Sequence, residues 1–269
     1  MDRRVVVTGL GAVTPLGTCV ATTWQRLCRG ESGIDFISRF DASDFPAKIA
    51  GEVREFAPEQ YLDKRELRRM DRFVQFALVA SQEAVADAGL TITKANAERV
   101  GVYIGSAFGG LESLEAVHVT LLEKGPHRVS PLFPAIVLSN LAAGQVSIRF
   151  GAAGPNNSSA TACAAGAHSI GEAYHLIRRG AADVMIAGGT EAVITPLAVS
   201  AFGNMRALSP ESQEPAPAPA ALLTPSATAL SWRKGRGCSS SKSCTMPAGA
   251  APAFMPSSSA TAAPAMPIT

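Results

Sequence analysis

Along the first two hundred residues the hydrophobic positions follow two periods, and after that the periods vanish. "RVVVTGLGAV" (4–13) reads as a strand running into a Gly-rich turn. Between Lys64 and Gly89, Leu67, Met70, Phe73, Val74, Ala77, Leu78, Ala84, Val85 and Ala88 recur on one face at helical spacing. Gly89 stands where a helix C-cap is wanted. "RVGVYIGS" (99–106) and "ADVMIAGG" (182–189) are short apolar runs typical of buried strands. Residues 132–149 read as helical, "GAAGPNN" as a turn, and "SSATACA" as a strand leading to Cys163. A helix over 164–179 then ends at Gly180, and "PLAVSAFGNMRAL" is again helical. Strands alternating with helices imply βαβ units, an α/β fold and a largely parallel sheet.

The pattern stops near Leu208. Residues 209–269 contain 10 of the 18 prolines and no valine, with no sustained period of either kind. Such a segment cannot bury enough apolar surface to offset its chain entropy, which predicts disorder. The expected organisation is one domain over 1–208 and an Ala/Pro/Ser-rich tail over 209–269.

Charge and cysteine content narrow the function classes. A formal net charge of +2 over 269 residues carries no signal for nucleic acid or for a membrane surface. No apolar run has transmembrane length and no signal peptide is recognisable, so a cytoplasmic protein is expected. The five cysteines, Cys19, Cys28, Cys163, Cys238 and Cys244, form no CxxC pair and have no zinc spacing with histidine. Neither a metal site nor a disulfide framework is expected.

Of the candidate motifs, "GLGAVTPLG" fails as a dinucleotide fingerprint. Position 14 is Thr, Pro15 follows, and no helix opens on the glycines. A tight structural turn is the better reading. Cys163 is either an inert core cysteine or a nucleophile. It lies between a strand and a helix, where N–H groups and the helix dipole favour an anion, and Ala162, Ala164, Ala165 and Gly166 leave room for a substrate. The same N–H groups are candidates for an oxyanion site. His168, five residues on, is about 140° round the helix and poorly placed as its base. His118, His127 and His175 read as surface or satisfied polar residues. Arg65, Arg68, Arg69 and Arg72 make a basic stripe, either solvated among acidic neighbours or a dock for an acidic partner.

Five separated stretches carry a resemblance: "RRVVVTGLGAVTPLG", "LDKRELRRMDRFVQFALVAS", "GSAFGGLE", "NNSSATACAAGAHSIGEA" and "ADVMIAGGTEAVITPLAVSAFGNMRALS". Together, from about residue 3 to about residue 209, the chain resembles the β-ketoacyl-acyl-carrier-protein synthase II family of elongating condensing enzymes. The resemblance implies a thiolase-like fold of α/β/α layers, of which only an incomplete N-terminal half is present. It implies that Cys163 takes an acyl chain from acyl carrier protein as a thioester, and that its N–H forms half of an oxyanion hole. It places Phe202 beside the acyl chain, and Arg65, Arg68, Arg69, Arg128 and Arg206 against the acidic carrier. It further implies homodimerisation, no metal or redox cofactor, and decarboxylative condensation with malonyl carrier protein. A polyketide ketosynthase shares much of the pattern and stays open.

Two departures matter. Where the family has "GSGIGG" or similar, Ala107-Phe108 stand here; Phe108 lines the acyl pocket by this match and predicts a preference for shorter chains. After "MRALS" the family pattern breaks off. Read one base out of phase, with codons chosen within their degeneracy, Trp232 to Cys244 yields "MAEGAGVLVLEEL", the strand the family carries there. The tail is therefore expected to be out-of-frame translation. By the resemblance, two catalytic histidines, a lysine and the second oxyanion donor would lie beyond residue 269. Loss of condensing activity is expected for the chain as written. It is then an inactive fragment, a module that binds carrier protein or an intact subunit, or the product of a sequence error.

Overall fold

In a computed structural model of the chain, the described residues are 4–208 together with the backbone of 227–234. The chain runs β1 (Val5–Val13), α1 (Val20–Cys28), β2 (Asp35–Phe36), β3 (Ile49–Ala50), α2 (Lys64–Leu67) and α3 (Arg72–Asp87). It continues through β4 (Val100–Gly105), α4 (Leu111–Lys124), α5 (Pro134–Val137), α6 (Leu141–Phe150) and β5 (Asn156–Asn157). α7 (Ala165–Arg178), β6 (Val184–Thr190), α8 (Pro196–Asn204) and β7 (Ala227–Lys234) follow. Five strands share one sheet in the order β1-β7-β6-β4-β5, while β2 and β3 pair separately. β4 is parallel to both β5 and β6, and β7 is antiparallel to β6 and β1.

The layers follow from period-2 burial on both faces of the sheet. In β6, Val184 and Ile186 pack with Val102 and Ile104 of β4 against Phe73, Val74, Ala77 and Leu78 of α3 and Val146 of α6. Met185 and Ala187 face the other way, onto Ala173, Leu176 and Ile177 of α7. A strand buried on both faces has no polar positions to alternate, which is why its sequence is a continuous apolar run.

Several sequence expectations change in detail. The 64–89 helix is two helices. Asp63 caps α2 in a reciprocal capping box with Glu66, and Asp71 takes an extended backbone and caps α3 through Phe73 N–H at 3.3 Å. A short acid that binds backbone N–H groups terminates one helix and starts the next. Gly89 does take the positive φ, +56°. The 132–149 helix likewise divides, into α5 and α6, at an extended Leu138. Gly9 and Gly11 do not form a turn; they lie inside β1, where α3 crosses. A Cβ on Gly11 would lie 1.8 Å from Ala80 O, and one on Gly9 2.2 Å from Ala84 O. The reversal comes later, between Thr14 and Gly17. "SSATACA" is not a strand either: β5 stops at Asn157.

The expectation of disorder over 209–269 falls outside the described residues except at β7. There the backbone of 227–234 is a strand, bonded on both sides. Strand pairing uses main-chain N–H and C=O groups, so a stretch without proline can fill the place between β1 and β6 without a hydrophobic period. The out-of-frame reading of the remaining tail also lies outside the described residues. Among the described residues no helix is long and apolar enough to cross a membrane.

Candidate active site

Three parallel strands end at one edge of the sheet, and each releases a sequence-predicted residue there. β4 leads into Ser106–Phe108, β5 leads through 158–161 to Cys163, and β6 leads through Glu191 to α8 and Phe202. The edge outside the carboxyl ends of parallel strands is where α/β sheets present functional groups. The first turn of α7 sits directly on this edge. A Cβ on Gly105 would lie 2.5 Å from Ala165 O, and one on Gly189 2.8 Å from the Cα of Gly166. Glycines at both strand ends are thus what let the cysteine-bearing turn approach.

Cys163 lies in a single 3-10 turn, Ala162–Ala164, and is exposed. Ala162 has φ +50°, a left-handed conformation that a residue with a Cβ adopts at a cost. The turn is strapped to α7 by a 2.8 Å hydrogen bond between Thr161 Oγ1 and His168 Nδ1. His168 is thereby engaged with Thr161, in keeping with its reading as no base. The expectation that several N–H groups here serve an oxyanion needs correction. Ala164 N–H bonds Thr161 O at 3.1 Å and Ala165 N–H bonds Ala162 O, so both are used within the turn. Of the other histidines, His118 is on α4, His127 in the turn Pro126–Arg128, and His175 lies edge-on to Tyr174 at 5.3 Å.

Phe108 and Phe202, far apart in sequence, come together. Their ring centroids are 6.1 Å apart at 83°, an edge-to-face pair, and Phe108 remains 49% exposed. The basic residues are less unified. Arg65, Arg68 and Arg69 are exposed on α2 and the turn after it, while Arg128 and Arg206 are exposed on two other segments. Arg206 has φ +58°. Arg72 leaves the stripe altogether. It donates to Val53 O at 2.8 Å and lies over the rings of Phe76 and Phe56 at 5.0 and 5.5 Å. Burial, and next the nearby Arg39 charge, lower its pKa from the ordinary value.

Sequence reasoning missed Glu191. Its carboxylate accepts the N–H of Ala107 at 2.7 Å, the Ser106 hydroxyl at 3.1 Å and the N–H of Phe108 at 3.4 Å. Burial raises its pKa, opposed by those donors. In sequence it is a lone acid between a buried strand and "AVI", which carries no pattern of its own. Glu191 also reaches the wall of a cleft of about 300 Å³, shared with Arg39, Glu52, Arg54, Arg72 and Phe76. Among the described residues no cluster of three or more His, Cys, Asp or Glu could hold a metal ion.

Comparison with known proteins gives this arrangement a context. A family model described as the N-terminal domain of β-ketoacyl synthase matches residues 2–231, running past the point near 209 where the resemblance was expected to stop. The 3-oxoacyl-[acyl-carrier-protein] synthase 2 of Staphylococcus aureus (strain COL) is 51% identical over 208 residues, covering 77% of this chain and 50% of its own length. The chain therefore spans about half the length of the curated relatives it matches. The solved ishigamide ketosynthase/chain length factor superposes with a TM-score of 0.76 at 28% identity, covering 87% of this chain and 59% of that one. A type II polyketide ketosynthase solved with its acyl-carrier protein gives 0.71 at 25% identity, covering 87% and 64%.

Proposed function

Because the chain belongs to the β-ketoacyl synthase family through its N-terminal domain, we propose that it performs the acyl-transfer step of fatty-acid elongation, with Cys163 as nucleophile. The cysteine sulfur attacks the thioester carbonyl of an acyl carrier protein. The carrier's thiol leaves with the proton, and the acyl group stays on Cys163. The oxyanion formed on the way falls to the N–H of Cys163, since those of Ala164 and Ala165 are engaged. The observation that carries this reading is the placement of an exposed cysteine on the turn that opens α7, at the shared carboxyl edge of β4, β5 and β6. Phe108 and Phe202 wall the acyl chain, and the Phe108 ring favours short chains.

The exposed Arg65, Arg68, Arg69, Arg128 and Arg206 receive the acidic carrier. Self-association is supported by the apolar side chains that α4 leaves exposed, Leu122 at 72% among them. The setting is cytoplasmic, and no metal or redox cofactor takes part. Condensation with malonyl carrier protein belongs to the family reaction. To this chain we assign acylation and the acyl site. A second reading, a polyketide ketosynthase, is favoured by the polyketide carrier complex among the structural neighbours. The 51% identity to a 3-oxoacyl synthase favours the first.

The test is intact-mass spectrometry after incubation with hexanoyl carrier protein. One acyl group is expected on the wild-type chain and none on Cys163→Ala. Absence of any adduct from acyl carrier donors, or an adduct that survives Cys163→Ala, overturns the reading. A donor series from acetyl to polyketide-length chains separates the two pathways.

A further inference from the structure

The two phenylalanines at the candidate acyl site stand on elements that touch through one side chain. Phe108 leaves the end of β4 in the turn 106–109. Phe202 lies on α8, whose first residue Pro196 is five positions after Glu191, with Thr195 capping the helix through Ala198 N–H. Glu191 is therefore rooted at the base of the Phe202 arm, and its carboxylate holds the Phe108 arm. It accepts two successive backbone N–H groups, of Ala107 and Phe108, and the hydroxyl of Ser106. Ser106 Oγ in turn accepts Gly109 N–H at 3.0 Å, closing the turn. Thr190, one residue before, donates its hydroxyl to Phe73 O at 2.6 Å and pins the root of this clamp to α3. A carboxylate that receives consecutive N–H groups fixes backbone direction, and with it the ring of Phe108.

We infer that Glu191 is a positioning residue: by tying the 106–109 turn to the root of α8 it sets the separation of Phe108 and Phe202, and so the length of acyl chain the site accepts. This rests on the acyl-transfer reading above. The Glu191 carboxylate touches the turn rather than the acyl group.

Three variants of the full chain test it. Glu191→Ala removes all three acceptor contacts. Glu191→Gln keeps a carbonyl for Ala107 N–H and places an amide against Ser106 Oγ, which can accept, losing only the long 3.4 Å contact of Phe108 N–H. Ser106→Ala removes one arm, together with the acceptor of Gly109 N–H. Two readouts are taken. Hydrogen exchange followed by mass spectrometry reads the amides of 106–109 and needs no activity. Competition between hexanoyl and hexadecanoyl carrier protein for Cys163 reads the chain-length ratio, which simple loss of folded protein would not move.

For Glu191→Ala the 106–109 amides are expected to exchange about tenfold faster, the effect of losing about one net hydrogen bond. The short-chain preference should then relax toward equal labelling. Glu191→Gln should stay near wild type in both readouts, and Ser106→Ala should fall between. Unchanged exchange in Glu191→Ala overturns the clamp. Faster exchange with an unchanged labelling ratio overturns its role in chain length. If wild type takes no acyl group from either donor, the acyl-transfer reading and the chain-length role fall together, and the exchange data alone decide whether Glu191 holds the turn. If Glu191→Ala does not fold, Ser106→Ala and Glu191→Gln carry the same comparison.

Discussion

Helices α3 and α4 are close in length, 16 and 14 residues, yet they are used in opposite ways. α3 buries Phe73, Val74, Phe76, Ala77, Leu78, Val79, Ala80, Ser81 and Ala84, whereas α4 buries Leu111 alone. Both sequences are rich in Leu, Val and Ala. The difference lies in what stands opposite. Gly9 and Gly11 let α3 lie directly on β1, and β4 and β6 offer it an apolar face. α4 hangs from the sheet edge by its first turn, where the buried Asp71 accepts Ser113 N–H at 3.0 Å and Ser113 Oγ at 2.6 Å. Leu114, Val119, Leu121 and Leu122 further along it stay exposed. Hydrophobic content thus says that a helix needs a cover, and only the surroundings say whether the chain supplies it.

That contrast can be broken experimentally, beginning in the core. Phe73→Ala on α3 removes a fully buried ring and is expected to cost about 4 kcal/mol in urea or thermal unfolding. A loss under about 1 kcal/mol would mean α3 is not the packed helix of the pair. Gly11→Val should cost about 3 kcal/mol, because the added Cβ meets the α3 backbone, which cannot swing aside.

A smaller, pH-dependent effect is expected at Glu83 on the exposed side of β1. Its carboxylate accepts Ala12 N–H at 3.0 Å and Val20 N–H at 2.8 Å, blunting the sheet edge and capping α1. Burial raises its pKa above the ordinary 4.5, with those two donors opposing. The folded state therefore holds the Glu83 proton more tightly than the unfolded state. This stabilisation is complete below the unfolded pKa and is lost as pH rises through the folded one. The Tm of Glu83→Gln relative to wild type should accordingly improve from about pH 4 to about pH 7. A difference that is flat or of opposite slope contradicts this.

The smallest effect belongs to α4. Leu122→Ala should change the stability of the dilute chain by less than about 0.5 kcal/mol. A loss approaching that of Phe73→Ala would show that α4 is covered and would erase the contrast.

The legibility of each element tracks how local its cause is. α7 was readable because its burial follows a helical period, and β4 and β6 because each is a short continuous apolar run buried on both faces. Gly89 and Gly180 were readable as helix ends, and both have positive φ. The division at Asp71 was harder, since the same residue both fits the polar face of one long helix and caps a second. Cys163 stood out by its small neighbours, but its turn, the left-handed Ala162 and the Thr161–His168 strap depend on how α7 meets β4 and β6. Glu191 was passed over because a lone acid after a buried strand has no pattern. It becomes a candidate only when β4 brings Ser106, Ala107 and Phe108 to it.

By itself the sequence determined that this chain alternates strands and helices, with β4, β5 and β6 parallel in what proves to be a mixed sheet, that its periodic part stops near residue 208, and that Cys163 opens a helix. These follow from hydrophobic spacing and from glycine and short polar residues at element ends, which act over a few residues. Tertiary structure alone decided that Gly9 and Gly11 are contact points rather than a turn and that residues 227–234 enter the sheet. It also decided that Arg72 is spent on two aromatic rings and that Phe108, Phe202 and Glu191 meet. Each of these is a contact between segments distant in the chain, set by strand order and by how closely two backbones can approach, and no local pattern encodes either.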